Sequence, residues 1–224
     1  MQFDLKGEKI AMAYIISIIP ALLAGVKITL LLFLGTIIMA IPLGIITSLG
    51  LLSAIKPLKL ILKFYIWIMR GTPLLLQLIF IFYGLPIIGI IFQRYDAALV
   101  ALVMNYTAYF AEIFRGGFQS IPKGQYESAH VLQLNYWQTL RYIIIPQVSK
   151  IVIPAIGNEV INLIKDTSLV YVIGLGELLR AGNVASARDV TLIPLVMVGI
   201  IYLLITGMIS FLLKRIELNY SKWK

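Results

Sequence analysis

The sequence predicts an all-α membrane protein with five transmembrane helices. Hydrophobic residues make up 60% of the 224-residue chain and charged residues only 13%, with a mean hydropathy of +0.95. Soluble domains are about half apolar and about a quarter charged, so this composition is atypical of a cytosolic globule. Because about 20 mostly apolar residues cross a bilayer as a helix, the long apolar stretches are expected to be spans. They lie at residues 25–52, 60–92, 97–114, 148–164 and 192–213.

Polar residues distinguish the middle spans from the outer two. The first span contains one ionisable residue, Lys27, and the last contains none. The second contains Arg70, Gly71 and Pro73, which predicts a kink because proline removes a helical hydrogen bond. The third and fourth spans are less apolar. Their polar residues are Asn105, Thr107, Glu112, Ser149, Lys150, Asn158, Glu159 and Asn162.

The segment before the first span is too short to cross a bilayer. Residues 10–19 are apolar and Pro20 is expected to close them. We expect a helix lying in the membrane interface, with an elongated first span as the alternative. Two acidic residues offset the two lysines of residues 1–9, which is atypical of a cleaved signal peptide. The chain as a whole, 1–224, is expected to form a single transmembrane domain.

The net charge of +9 gives the orientation of the chain. Basic residues concentrate on the cytoplasmic side of membrane proteins. Eleven of them follow the first span, the third span or the fifth, and six lie on the opposite side. This distribution predicts an outer N-terminus and a cytoplasmic C-terminus, and the excess charge then indicates orientation rather than nucleic-acid binding. Cysteine is absent and His130 is the single histidine, so neither a thiolate nor a multi-histidine metal site is expected.

The largest predicted loop, about 115–147, lies between the third and fourth spans. Gly116, Gly117 and Pro122 are expected to end the preceding helix. Short helices are expected at 125–133 and at 136–144, the second stopped by Pro146.

This loop closely resembles the signature loop of bacterial ABC importer permeases. That signature reads Glu-Ala-Ala, three residues, Gly, nine residues, and then Ile, any residue, Leu and Pro. The match comprises Glu127-Ser128-Ala129, Ile143, Ile145 and Pro146. Gln133 stands where the family has glycine, a residue that readily adopts a positive φ angle in the turn between two helices.

Four further segments are similar to the polar amino acid branch of the same permeases. They are 25–30, 70–77, 108–117 and 158–169, so the resemblance covers roughly residues 25–215. It implies the transmembrane domain of a type I ABC importer, with five spans in each subunit of a dimer. It also implies three kinds of protein partner: ATP-binding cassette ATPase subunits, a second permease (self or related) and an extracytoplasmic solute-binding protein. The segment 165–189, predicted as a loop with a short helix, would lie over the outer gate and meet that binding protein.

The loop is the expected contact with the ATPase. No Gly-x-x-x-x-Gly-Lys-Ser/Thr motif occurs in the chain, so ATP and magnesium are expected to bind the partner ATPase and no cofactor is expected here. The resemblance places Glu127, Ser128 and Ala129 on a coupling helix, with Gln133 and Pro146 completing the coupling loop. Small residues at 128 and 129 would permit close backbone approach. The alternative is a solvated surface loop without a partner.

Ionisable residues inside spans are costly and often functional. Glu159 lies mid-span, and a substrate cation would balance its charge during passage. A permanent partner such as Arg70 is the alternative. Glu112 lies near Arg115, and we favour interface anchoring or intersubunit pairing for it. The predicted substrate-binding residues are Glu159, Asn158, Asn105, Tyr109, Thr72, Arg70 and Asn162.

Together these features predict a permease subunit of an ATP-driven importer in the bacterial cytoplasmic membrane. Its expected substrates are polar amino acids, and a cationic one (arginine, lysine or histidine) would suit Glu159. The alternative substrate is glutamine or another polar amino acid such as cystine. A remote alternative is that the protein is an ATP-independent secondary transporter or channel. An intramembrane enzyme is not expected, because the spans contain no Ser-His pair and no metal cluster.

Overall fold

The chain folds into an all-helical bundle in a computed structural model that describes residues 5–221, with side chains from 12 to 220. No strand occurs in this part of the chain, which confirms the all-α prediction. Four of its helices are long and apolar enough to cross a membrane, and a bent pair makes a fifth span if it counts as one. The helices are α1 Leu5–Leu52, α2 Lys56–Gly71, α3 Leu74–Ile79, α4 Arg94–Gln119, α5 Lys123–Val131, α6 Tyr136–Thr139, α7 Ile145–Asp166, α8 Leu178–Asp189 and α9 Ile193–Ser221.

The first helix is longer than the sequence predicts. α1 continues through both Pro20 and Pro42, so the predicted end of a separate helix at Pro20 is wrong. Prolines are tolerated inside membrane helices because neighbouring groups satisfy the carbonyl that each one frees. The apolar part, Met12–Leu52, has 41 residues and a length of about 60 Å, roughly twice the thickness of the hydrocarbon core. The location of residues 10–19 in the membrane interface stays a prediction, and the charged side chains of 1–9 lie outside the described residues.

The second predicted span is broken at the predicted place. α2 and the helical segment Leu74–Ile88 meet at an angle of 106°, so the kink is confirmed and is sharper than a proline bend within one helix. Thr72, just before Pro73, is extended with φ −120° and ψ 147°, as expected for a residue that precedes proline. Beyond α3 the chain continues through a π turn, Phe80–Gly84, and a 3₁₀ turn, Leu85–Ile88.

The central helix is α4, which packs against α1, α2 and α7 and is buried along most of its length. It extends beyond the predicted 97–114 at both ends and includes Gly116 and Gly117. The prediction that these glycines end the helix is wrong. A Cβ atom on Gly117 would lie 2.3 Å from Cγ1 of Val152, so this glycine permits α4 and α7 to approach closely.

The fourth span begins earlier than predicted because Pro146 does not stop the helix. A π turn, Leu140–Ile144, joins α6 to α7, and the N–H of Ile145 donates to the carbonyl of Leu140, five residues before it. This wider turn makes room for the proline ring in the first turn of α7, where proline is well tolerated. Residues 136–173 therefore form one continuous helical segment.

The segment 165–189 is fixed to α1 through Gly25 and Thr29, which belong to the motif at 25–30. A Cβ atom on Gly25 would lie 2.8 Å from Cα of Leu178, so glycine permits direct contact between the backbones of α1 and α8. The hydroxyl of Thr29, one turn later, accepts a hydrogen bond from the N–H of Leu178 (3.3 Å). The predicted short helix after residue 165 is α8, and these contacts position its N-terminus.

A buried carboxylate caps the same end of α8. Glu177 is fully buried and accepts hydrogen bonds from the N–H groups of Leu179 (2.7 Å) and Arg180 (2.6 Å). The hydroxyl of Tyr202 on α9 donates a third (3.0 Å). Burial raises the pKa of the Glu177 carboxyl, although these hydrogen bonds oppose the change. Glu177 therefore ties α8 to α9 as Gly25 and Thr29 tie it to α1.

Candidate functional site

A cavity of about 630 Å³ opens among α2, α3, α4 and α7, beside the break between α2 and α3. The end of α2 and the start of α3 form one wall. The rest is formed by α4, by α7 and by the 3₁₀ helix Thr167–Ile173 that continues α7. The polar residues that line it are Arg70, Thr72, Asn105, Tyr106, Tyr109, Glu159, Asn162 and Asp166. A cavity rich in charged and polar groups inside a membrane bundle is suited to a polar solute.

Six of the seven predicted substrate-binding residues line this cavity, and Asn158 does not. Asn158 is exposed and lines a separate groove with Ser210 and Lys214 of α9. Consecutive residues of an α-helix are rotated by about 100°, so Asn158 and Glu159 face different sides of α7. Asn158, although in the predicted set, therefore does not belong to the lining of this cavity.

Two polar residues of the cavity, Tyr106 and Asp166, are not among the predicted substrate-binding residues. The hydroxyl of Tyr106 donates a hydrogen bond to Asp166 Oδ2 (2.7 Å), and both residues line the cavity. Asp166 was assigned to the outer segment, whereas α7 extends through it. The spacing carries a usable signal, because Asp166 lies seven residues after Glu159 and a separation of two helical turns returns to the same face.

A network of side-chain amides stabilises the break between α2 and α3. Gln77 Nε2 donates to the carbonyl of Met69 (3.0 Å) and to Thr72 Oγ1 (2.8 Å). Asn105 Nδ2 donates to the same Met69 carbonyl (3.0 Å) and to Gln77 Oε1 (3.0 Å). The hydroxyl of Thr72 donates to the carbonyl of Ile68 (2.8 Å). Asn105 and Thr72 thus have structural partners in addition to their place in the cavity, and Gln77 belongs to the site although no role was predicted for it.

Arg70 pairs with Glu112 rather than with Glu159. Its Nη1 lies 3.8 Å from Glu112 Oε2, and its guanidinium lies 5.2 Å from the centre of the Tyr109 ring. Arg115 also binds Glu112, with Nε 3.0 Å from Oε1. Among the described side chains, no basic group lies within 4 Å of the Glu159 carboxylate. The predicted alternative of a direct Arg70–Glu159 ion pair is therefore not observed.

The coupling loop forms a helix followed by a turn with a positive φ angle. Gln133 has a φ of 54°, which is the conformation for which the family signature has glycine. Its N–H donates to the carbonyl of His130 (2.9 Å), and the N–H of Leu134 donates to that of Ala129 (3.0 Å). These two bonds form a Schellman motif, so the turn is made although the residue is glutamine.

The predicted coupling residues do not all face outward. Glu127, Ser128, Gln133 and Pro146 are exposed, as is His130, whereas Ala129 is 1% exposed. Ala129 therefore packs against its own chain and is not available for the close approach to a partner that was predicted for it. One face of α5 is left for such a contact, and Ser128 is the small residue on it.

Comparisons with known proteins agree with this architecture. Residues 40–222 match the family described as binding-protein-dependent transport system inner membrane component. The arginine transport system permease protein ArtQ of Bacillus subtilis is 39% identical over 201 residues, covering 89% of this chain and 92% of that protein. The glutamine transport system permease protein GlnP of Escherichia coli is 35% identical over 202 residues, with the same coverage.

A solved structure is similar over nearly all of the chain. It is the crystal structure of an amino acid ABC transporter with histidines, at a TM-score of 0.85 and 34% identity. The match covers 98% of this chain and 100% of that one. The likeness therefore extends over the bundle as a whole and not only over the coupling loop.

Proposed function

The chain belongs to the family of binding-protein-dependent transport system inner membrane components, and on that premise we propose that it carries cationic amino acids across the membrane. It is a permease subunit of an amino-acid ABC transporter, a membrane transport protein and not an enzyme. Its relatives include proteins named for arginine and for glutamine, so the choice among amino acids rests on the cavity.

The excess of carboxylates in the cavity carries the proposal. Glu159 and Asp166 supply two carboxyl groups, and Arg70 supplies one guanidinium. A neutral amino acid brings one ammonium and one carboxylate and leaves this imbalance in place. Arginine, lysine or protonated histidine brings one further positive charge and balances it. Because an unpaired charge removed from water is strongly unfavourable, the balanced complex is the more stable one.

The placement of the charges suggests how the substrate is oriented. Arg70 at the end of α2 is the cation suited to the α-carboxylate, since a guanidinium binds a carboxylate through two parallel hydrogen bonds. Glu159 on α7 is suited to the side-chain cation. Asn162, one turn beyond Glu159, and the hydroxyl of Thr72 line the same cavity and complete the polar surface.

Uptake of labelled arginine by a Glu159→Gln variant tests this proposal. The substitution removes the charge but keeps the shape, and we expect arginine uptake to fall at least tenfold, the effect of about 1.4 kcal/mol. Asn158→Ala is the matched control, because Asn158 is adjacent in sequence and faces away from the cavity. Unchanged arginine uptake by a normally assembled Glu159→Gln transporter would exclude Glu159 from substrate binding.

The partners follow from the family. Glu127 and Ser128 on the exposed face of α5 contact a separate ATPase subunit, which binds ATP and magnesium. A second permease, identical or related, completes the transport pathway, and an extracytoplasmic binding protein delivers the amino acid at the α8 side. The whole chain acts as one transmembrane domain in a bacterial inner membrane, with the N-terminus outside and the C-terminus in the cytoplasm. The distribution of basic residues supports this orientation.

A further inference from the structure

One face of α4 connects the cavity with the coupling loop through a row of polar side chains. Tyr109 lines the cavity, Glu112 and Arg115 follow at successive turns, and Gln119 is the last residue of the helix. Arg115 donates to the Glu112 carboxylate through Nε and Nη2, and its Nη1 donates to Gln119 Oε1. This row includes part of the motif at 108–117, to which the proposed function assigns no task.

Glu112 is surrounded by cations. Arg115 on the same helix holds it, Arg70 of α2 lies 3.8 Å from it, and Lys63 of α2 is near enough to interact electrostatically. The side chain of Glu112 is 23% exposed and that of Arg70 is 44% exposed. Since Arg115 fixes the carboxylate from one side, Arg70 is drawn towards Glu112 and Tyr109 on α4.

The two carboxylates compete for the same guanidinium. Arg70 interacts electrostatically with Glu159 across the cavity, although the two are not in contact. If Glu112 lost its charge, the attraction of Arg70 to the α4 wall would weaken, while its attraction to Glu159 would remain. An Arg70–Glu159 pair would then occupy both of the groups that a cationic amino acid needs.

We propose that Glu112 is a positioning residue that holds Arg70 away from Glu159, so that both remain available to the substrate. The inference rests on the proposed function of the cavity. It makes substrate affinity depend on a carboxylate that does not line the cavity.

Glu112→Gln in the complete transporter, with its ATPase and second permease, is the test. Affinity is measured as the arginine concentration that gives half of the full ligand-induced shift in unfolding midpoint, which remains measurable in variants that do not transport. We expect this concentration to rise about tenfold in Glu112→Gln and to return most of the way in Glu112→Asp, which restores the charge. Glu217→Gln removes an exposed carboxylate near the end of α9 and is expected to leave the affinity unchanged.

A second background separates positioning from a merely structural role. In a transporter that already carries Arg70→Gln, Glu112→Gln is expected to change the affinity less than twofold, because the group it positions is gone. An equal loss in both backgrounds would overturn the proposal, as would an unchanged affinity in Glu112→Gln itself. Glu159→Gln separates this failure from a failure of the proposed function. If Glu159→Gln also leaves arginine binding unchanged, the proposed function fails. If Glu159→Gln abolishes binding while Glu112→Gln does not affect it, only the positioning role of Glu112 fails.

Discussion

Replacement of Asn105 by leucine is expected to destabilise the break between α2 and α3. Asn105 is 4% exposed, and its Nδ2 makes two hydrogen bonds of 3.0 Å, to the Met69 carbonyl and to Gln77 Oε1. Leucine is also branched at Cγ but makes neither bond. Polar bonds between membrane helices are worth about 0.6–1.7 kcal/mol each, which gives a total of about 1–3 kcal/mol. The Met69 carbonyl keeps its bond from Gln77, so the lower half of this range is expected.

The assay is reversible unfolding of the purified permease in mixed micelles, followed by the loss of helical signal as denaturing detergent is added. Thr107→Val is the matched control on the same helix, since the Thr107 hydroxyl is buried and makes no hydrogen bond of normal length in the described part of the chain, with the Tyr65 hydroxyl as its polar neighbour. Its removal is expected to be nearly neutral or slightly stabilising. If Asn105→Leu unfolds at the same detergent fraction as Thr107→Val, the amide network does not stabilise the break.

Three further substitutions test the packing and the coupling loop. Gly117→Ala is expected to lower the free energy of unfolding by about 1–3 kcal/mol, because its Cβ would overlap Val152. Gly116→Ala has open space around it and should be neutral or stabilising in the same assay. Equal effects of the two substitutions would contradict the close packing of α4 against α7. Gln133→Gly is expected to raise the free energy of unfolding by up to about 1 kcal/mol by removing the cost of a positive φ angle, and a decrease would show that the glutamine side chain contributes more than this cost. Glu127→Arg is expected to abolish co-purification of the ATPase without changing the unfolding midpoint, since Glu127 is exposed; retained ATPase would remove it from the contact.

The sequence predicts the broken span and most of the cavity for identifiable physical reasons. Gly71 and Pro73 together disfavour a continuous helix after Arg70 and locate the break, whereas the isolated Pro20 and Pro42 are accommodated inside α1. Polar residues are excluded from lipid, so Arg70, Asn105 and Glu159 are expected to face the interior. The structure brings these three together around one cavity.

The errors arise where tertiary contacts decide between local alternatives. Gly117 resembles a helix breaker, but its position against Val152 makes it a packing residue. Pro146 resembles a stop, but a π turn just before it accommodates the ring. Ala129 resembles a contact residue, but its burial depends on how α5 folds back on the bundle. The outcomes at Gly117 and Ala129 depend on a segment that packs against them, and the outcome at Pro146 depends on the π turn that precedes it.

The side of a helix on which a polar residue lies was predicted less well than the span that contains it. Asn158 and Glu159 are equally polar and adjacent, and only the arrangement of α7 against α9 shows that Asn158 lies in a different groove. Asp166 was missed because the end of the fourth span was placed too early, although its spacing from Glu159 places both on one face. For Asp166, the helical spacing from Glu159 predicts the location better than the end of the apolar stretch does.

The measurement that tests the central claim most directly compares binding of arginine and citrulline to the complete transporter, before and after Glu159→Gln. The two amino acids have side chains of the same length, and citrulline lacks the positive charge. We expect the wild-type transporter to favour arginine by about tenfold or more, as a charge-balanced cavity requires, and the variant to lose most of this preference. A wild-type cavity that binds both equally, or a variant that keeps the full preference for arginine, would contradict the account.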